Sequence, residues 1–245
     1  LAGFGSYGSR TGSFVDIMCG ICGFTGRDRD GLLERMTETM KQRGPDARGF
    51  HRENRVSLGQ RRLTIIDPSP TGNPPLSNED GSLWLVYNGE IYNYRALRSD
   101  LVRAGHRFRS ATDTEVVLHA YEEHGEGCLE RFNGMFAFAL WDRNAGRLWL
   151  ARDRMGIKPL YYLEHKDRLY FASDLRALLL VPGFRSGIDP VSLDRYLTYR
   201  YVTHTDRTMI SGIRRLPPAH TLTCRRGVIS TRRYWSLPPP GSGKG

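Results

Sequence analysis

Short segments rich in β-branched and aromatic residues recur at 21–25, 56–60, 83–88, 135–141, 147–151, 160–163 and 169–172, and each is the length of a strand, too short for a helix. Turn chemistry separates several of them. Asn144-Ala145-Gly146 sits between two apolar runs as a hairpin, and Lys166-Asp167-Arg168 marks a second. A meander of antiparallel strands follows. Helical periodicity replaces the strand pattern at 31–40, 94–103, 113–124 and 190–199. The third stretch is the best defined: Thr112 and Glu115 make a capping-box pattern, Val116, Val117, Ala120 and Tyr121 supply one apolar side, and Gly125 stops it. Asp189 before Pro190 opens the fourth, with proline at the first helical position. Strands with helices grouped between them predict α+β layers.

A chain of 245 residues that is 39% hydrophobic can enclose one sizeable core, which predicts one domain. The net charge of +10 raises the question of nucleic acid. The cations, however, are nearly all arginine and are dispersed, and the densest clusters are the pairs Arg214-Arg215, Arg225-Arg226 and Arg232-Arg233. Those fall short of the basic runs that bind phosphate backbones, so no nucleic-acid partner is expected. Cys19, Cys22, Cys128 and Cys224 are too few and too irregular for a disulfide scaffold, which fits a reducing cytoplasm. No run of about 18 apolar residues occurs, so no membrane insertion is expected. Residues 1–17 lack the apolar centre of an export signal. Residues 1–18 therefore read as a leader or upstream segment absent from the active form, and 236–245, rich in proline and glycine, as a linker.

Met18 is directly followed by Cys19-Gly20-Ile21-Cys22-Gly23-Phe24. If Met18 is the start and is removed, Cys19 carries a free α-amine. A thiol has a reference pKa of about 8.5 and an α-amine one of about 7.7 to 8.0, so the amine can take the thiol proton at neutral pH. Nucleophile and base then reside on one residue.

Three later segments, Arg43-Gly44-Pro45-Asp46, Arg62-Leu63-Thr64-Ile65-Ile66-Asp67 and Tyr87-Asn88-Gly89-Glu90-Ile91-Tyr92-Asn93, follow that cysteine in an order that resembles the N-terminal glutaminase domain of glutamine-dependent asparagine synthetases. The resemblance continues through Thr112-Asp113-Thr114-Glu115, the run 132–138, Gly156-Ile157-Lys158-Pro159 and Arg214-Arg215-Leu216-Pro217-Pro218, covering nearly all of 19–235. It implies the four-layer αββα sandwich of N-terminal-nucleophile hydrolases, with two mainly antiparallel sheets and a closing hairpin of 210–223 with 227–235. It implies hydrolysis of glutamine to glutamate and ammonia, with Cys19 as nucleophile and with Asn88 (side-chain amide) and Gly89 (backbone N–H) as oxyanion donors. It also assigns Arg62 to the substrate α-carboxylate and Asp113 to its ammonium, with Glu90 assisting. Arg61 is the adjacent decoy. No cofactor or metal is expected in 19–235. ATP and magnesium are implied for a C-terminal synthetase domain, whose Ser-Gly-Gly-x-Asp-Ser loop this sequence lacks. That domain and glutamine are the implied partners, with a homodimer left open.

Plainer readings exist for each motif. Cys19-x-x-Cys22 could be a redox pair or half a zinc site, but no second such pair occurs. Asp113 suits the first turn of any helix. Asn88-Gly89 is the commonest hairpin signal, here read as a site loop. Arg43-Gly44-Pro45-Asp46 reads as cleft architecture. The seven histidines, His106 and His220 among them, show no ligand spacing. Gln42 and Met155 depart from the family pattern, which expects histidine and phenylalanine at those places, and so weaken any claim about the nitrogen acceptor. The competing functions are another glutamine amidotransferase (glucosamine-phosphate synthase, the first enzyme of purine synthesis, or a lactam- or peptide-modifying relative) and, if the leader is retained, a catalytically silent binding module.

Overall fold

The computed structural model describes residues 18–203 and 206–238. The readings placed on 1–17 and on most of the tail lie outside them. The strands are β1 (Gly20–Thr25), β2 (Ala47–Arg52), β3 (Val56–Arg62), β4 (Leu76–Ser77), β5 (Leu83–Ile91), β6 (Gly134–Asp142), β7 (Arg147–Arg152), β8 (Tyr161–His165), β9 (Arg168–Ala172), β10 (Ile213–Arg215), β11 (His220–Arg225) and β12 (Val228–Arg233). The α-helices are α1 (Leu32–Glu38), α2 (Tyr94–Arg103), α3 (Asp113–His124), α4 (Cys128–Arg131), α5 (Leu175–Leu178) and α6 (Pro190–Tyr199).

Two six-stranded sheets form, in the orders β10-β8-β9-β1-β3-β2 and β12-β11-β7-β6-β5-β4. Neighbours pair antiparallel in both. Each strand splits its side chains between two faces, so both sheets are covered on both sides. Ile21, Leu58, Val86, Ala139, Leu150 and Phe171 belong to a buried cluster between the sheets. Tyr87, Phe136, Phe138 and Trp149, from the opposite face of the second sheet, pack with Val117 and Tyr121 of α3 and Leu101 of α2. Phe24 and Tyr170, from the outer face of the first sheet, pack with Leu33 and Met36 of α1 and Leu178 of α5. The layers therefore run helix, sheet, sheet, helix. Full burial of each large apolar side chain contributes roughly 1.5–3 kcal/mol, and the layers are stacked by that burial.

Several expectations change. Only β4 to β7 of the second sheet form a meander, to whose edge β11 and β12 return after β8 to β10 have joined the first sheet; in the first, β1 inserts between β9 and β3. The segment 210–223 is not one arm of a hairpin. Pro217 and Pro218 interrupt it, so that β10 pairs with β8 in one sheet while β11 pairs with β12 and β7 in the other. Asn88 and Gly89 are no turn or loop: both lie inside β5, opposite Ala137 and Phe136. The Lys166-Asp167 hairpin holds, with both residues at positive φ (48° and 58°) as a two-residue turn of that twist requires. In α3 the capping box is half made. Thr112 accepts from the Glu115 N–H, but the Glu115 carboxylate accepts from Arg109 and Ser110 instead of returning to Thr112. Asp189 caps α6 through the Ser192 N–H at 2.8 Å. The half-exposed edge strand β2, the two-residue β4 and the one-turn helices α4 and α5 lacked a periodic signal and were not foreseen.

Candidate active site

Cys19 precedes β1, a central strand of the first sheet, which delivers its sulfur to one end of the inter-sheet layer. There the Leu63 N–H donates to Sγ at 3.4 Å. The antiparallel pairing of β1 with β3 fixes this meeting, because Gly20 faces Arg61 and the chain leaves β3 two residues later. Burial raises the thiol pKa above its ordinary value; the Leu63 N–H, Arg62 and Lys158 pull it down, and Asp113 opposes them. Upstream, the Met18 N–H donates to the Arg43 carbonyl at 3.0 Å. With Met18 attached the Cys19 nitrogen is an amide, so the half-buried thiol has no amine to take its proton.

All six residues singled out from the sequence, Cys19, Arg62, Asn88, Gly89, Glu90 and Asp113, line one cavity of about 240 Å³. Its other walls include Gln60, Leu63, Tyr87, Thr112 and Lys158. That volume lies below the ~300–1,000 Å³ common for drug-sized ligands and suits a smaller molecule such as an amino acid.

Strand alternation explains the donors. Val86 faces the inter-sheet layer, and Asn88, two residues on, shares its face. Asn88 is buried and its Nδ2 has no hydrogen-bond partner. Buried amide donors are rarely left unpaired, and this one, lining a cavity, is free to donate to a group placed there. The backbone supplies a second. The Tyr87 N–H and C=O bond the Gln60 side chain at 2.9 and 2.8 Å, and therefore point away from β6. The Ile91 N–H, pointing the same way, donates to Asp113 Oδ2 at 2.9 Å. Gly89 lies between them in the same parity, so its N–H also faces away from β6, toward the cavity. A Cβ at Gly89 would meet Met135 O at 2.4 Å and the Phe136 Cα at 2.7 Å. Glycine is required here by the close approach of β6.

Asp113 is the first residue of α3, and its carboxylate also accepts from Tyr87 Oη at 2.8 Å. Burial raises its pKa, against the lowering by the Ile91 N–H and the Tyr87 hydroxyl. The pair leaves Asp113 rigid at the cavity wall. Arg62 and Arg61 separate by the same alternation. Arg62 shares the face of Leu58 and Gln60 and lines the cavity, whereas Arg61 reaches back to Thr37 O and the Glu38 carboxylate of α1. The Arg62 guanidinium donates to Asn73 Oδ1 at 3.0 Å and to the carbonyls of Ile66, Asp67 and Ser69, so the loop after β3 wraps around it. The Arg43-Gly44-Pro45-Asp46 segment is cleft architecture: Asp46 Oδ2 accepts from the Thr64 N–H at 2.7 Å, and a Cβ at Gly44 would meet the Arg61 carbonyl carbon at 2.5 Å.

Gln60, the Tyr87 hydroxyl and Lys158 escaped the sequence reading as site residues. Gln60 did leave a signal, being a polar residue on the strand face that carries Val56 and Leu58. Lys158 lies in the family-like run Gly156-Ile157-Lys158-Pro159, but only folding brings it near Cys19, where burial lowers its pKa and the thiolate would raise it.

The chain matches the family described as "Glutamine amidotransferase domain" over residues 18–235. It is 34% identical over 226 residues to asparagine synthetase [glutamine-hydrolyzing] 3 of Bacillus subtilis, covering 90% of this chain and 37% of that protein. It is 41% identical over 214 residues to asparagine synthetase 2 of the same organism, covering 84% and 28%. It is 36% identical over 211 residues to amidase chry2 of Gibberella zeae, covering 85% and 31%. The chain thus spans about a third of the length of these relatives. Among solved structures, glutamine phosphoribosylpyrophosphate amidotransferase from B. subtilis superposes with a TM-score of 0.67 at 17% identity, over 89% of this chain and 50% of that one. At that identity the likeness is one of fold, the αββα sandwich.

Proposed function

The chain belongs to the glutamine amidotransferase domain family, and from that premise we propose that it hydrolyses glutamine to glutamate and ammonia once Cys19 is the first residue. The released α-amine takes the thiol proton, and Sγ attacks the carboxamide carbon of glutamine. The oxyanion of the tetrahedral intermediate accepts from Asn88 Nδ2 and the Gly89 N–H, and the Cys19 ammonium returns its proton to the leaving nitrogen. Ammonia leaves and a γ-glutamyl thioester remains. The amine then deprotonates water, which attacks the thioester, giving glutamate and the free thiol. Arg62 binds the α-carboxylate, and Asp113, aided by Glu90, binds the α-ammonium, so that one cation and two anions frame a zwitterion.

The observation that carries this reading is the unpartnered Asn88 amide in the same cavity as the Cys19 sulfur. We further propose that the ammonia serves ATP-dependent synthesis of asparagine from aspartate by a C-terminal domain reached through the linker 236–245, with ATP and magnesium bound there, in the cytoplasm. The names of the Bacillus relatives support that acceptor. The amidase names of two further relatives favour a second reading, in which the same glutaminase feeds a different amidation. A chain beginning at Cys19 should release glutamate from glutamine. Absence of glutamate, or undiminished release by Cys19→Ala, refutes the glutaminase. With the downstream domain attached, asparagine formation from aspartate, glutamine and ATP separates the two acceptor readings.

A further inference from the structure

Outside the cavity lining, a second cluster of side chains is assembled from α3 and the segment after α2. His106 follows the turn at the end of α2, and His119 and Glu122 lie one turn apart on α3. One ligand atom from each falls within 4.8 Å of the others. His119 Nδ1 is 2.6 Å from Glu122 Oε2, and His106 Nδ1 is 3.6 Å from the same oxygen. Zinc bonded to nitrogen and oxygen at ~2.0–2.1 Å in tetrahedral geometry spaces its ligands by ~3.3 Å, and the two histidine–Glu122 distances lie on either side of that spacing.

The surroundings point the same way. Histidines that bind metal through one nitrogen usually present the other to a carboxylate, which sets the tautomer and the ring orientation. His106 has that partner, and His119 has a carboxylate close by. His106 Nε2 lies 3.1 Å from Glu123 Oε2, and His119 Nε2 lies 3.6 Å from Glu115 Oε1, too long for a hydrogen bond and left unpaired in a buried position. Glu122 is oriented as well, its Oε1 accepting from Asn78 Nδ2 at 2.8 Å. The Phe108 ring stands edge-on to His119 with centroids 4.7 Å apart and limits its rotation. Glu115, Glu122 and Glu123 bring three carboxylates to two imidazoles, a negative balance that a divalent cation offsets.

We propose that His106 Nδ1, His119 Nδ1 and Glu122 Oε2 form a site for a divalent transition-metal ion of the zinc class, with water in the fourth position on the exposed side of Glu122. The donor set of two imidazoles and one carboxylate suits zinc or cobalt over calcium or magnesium, which prefer all-oxygen shells. The ion ties the turn after α2 to α3. Asp113 begins that helix, six residues and therefore about 9 Å of helix before His119. The site is structural, outside the cavity, and independent of the glutaminase reading.

The test is Co²⁺ and Zn²⁺ titration of the metal-stripped full chain carrying Cys19→Ala, which removes the cavity thiol as a competing ligand. One equivalent of Co²⁺ should give visible absorption of four-coordinate geometry, Zn²⁺ should displace it, and Zn²⁺ should raise the unfolding midpoint by about 5 °C or more when well above its dissociation constant. His106→Gln and Glu122→Gln should abolish the absorption and the thermal shift. Glu123→Gln, exposed and outside the ligand set, should keep the fold and weaken Co²⁺ binding about tenfold by freeing His106. Absence of the cobalt spectrum in the parent overturns the proposal in favour of a proton-bridged His-Glu cluster. A spectrum unchanged in His106→Gln and Glu122→Gln overturns it by placing the ion elsewhere.

Discussion

Asn88→Ala in a chain beginning at Cys19 separates catalysis from folding because the amide it removes bonds nothing in the unliganded protein. Deleting a single oxyanion donor costs about 2.7–4 kcal/mol of barrier, so kcat should fall about 10²–10³-fold. The Gly89 N–H remains, and Arg62 and Asp113 still hold the amino-acid end, so KM for glutamine should stay within about threefold. Stability follows a different account. Asn88 Nδ2 is buried without a partner, an arrangement that costs about 1–3 kcal/mol, and alanine relieves it. The lost side-chain volume opens onto an existing cavity and creates no sealed void. The two effects oppose each other, so the unfolding midpoint should move by no more than about 4 °C. Glutamate release coupled to a dehydrogenase gives the kinetics, and a thermal melt gives the control. A kcat within threefold of the parent would show that Asn88 is no oxyanion donor. A loss of activity matched by a collapse of the melt would make it a structural residue.

Further expectations concern the nucleophile, the clamp and the strand pair. With Met18 retained, burial keeps the Cys19 thiol above its ordinary pKa, so alkylation by iodoacetamide should be slow at pH 7 and keep rising beyond pH 9; with Met18 removed it should be fast at neutral pH, and equal rates would remove the amine from the mechanism. Arg62→Ala should raise KM about 30-fold or more and also lower the melt, because its guanidinium holds the 66–73 loop, whereas Arg61→Ala, whose guanidinium serves α1, should lower the melt but leave KM unaltered; a KM raised by Arg61→Ala and not by Arg62→Ala would exchange their roles. Tyr87→Phe removes the hydroxyl that donates to Asp113 and should raise KM about tenfold at nearly constant kcat, which initial-rate kinetics would contradict if kcat fell instead. Gly89→Ala forces a methyl against Met135 O and Phe136, and should lower the yield of folded protein together with activity, as circular dichroism would show.

Local signals were legible where a short stretch decides its own structure. The 94–103, 113–124 and 190–199 helices match their observed bounds because helical periodicity is complete within each stretch, reinforced by Thr112 and Gly125 at the ends of the second and by Asp189 at the head of the third. β1, β3 and β5 to β9 were found with ends off by a few residues. Misreadings arose where distant partners decide. Asn88-Gly89 carries turn chemistry, yet nine consecutive pairings between β5 and β6 hold it extended. Segment 210–223 looks continuous, but Pro217-Pro218 lets its halves join different sheets, a choice made by β8 and β11's partner β7. Thr112-x-x-Glu115 promised a reciprocal cap, and Ser110 with Arg109 captured the glutamate.

The amino-acid order alone pointed to the α+β class and to Cys19 with its own amine as candidate base, because periodicity and neighbouring residues are local properties of a chain, while Arg62 at the end of β3 and Asp113 at the head of α3 were singled out through the motifs that resemble a known family. Only tertiary structure decided that Asn88 is buried without a partner, that Gly89 aims its N–H outward, that Arg61 turns away from Arg62's cavity, and that His106 meets His119 and Glu122. Those facts depend on register between strands and on packing between layers, where a shift of one residue would send each side chain to the opposite face.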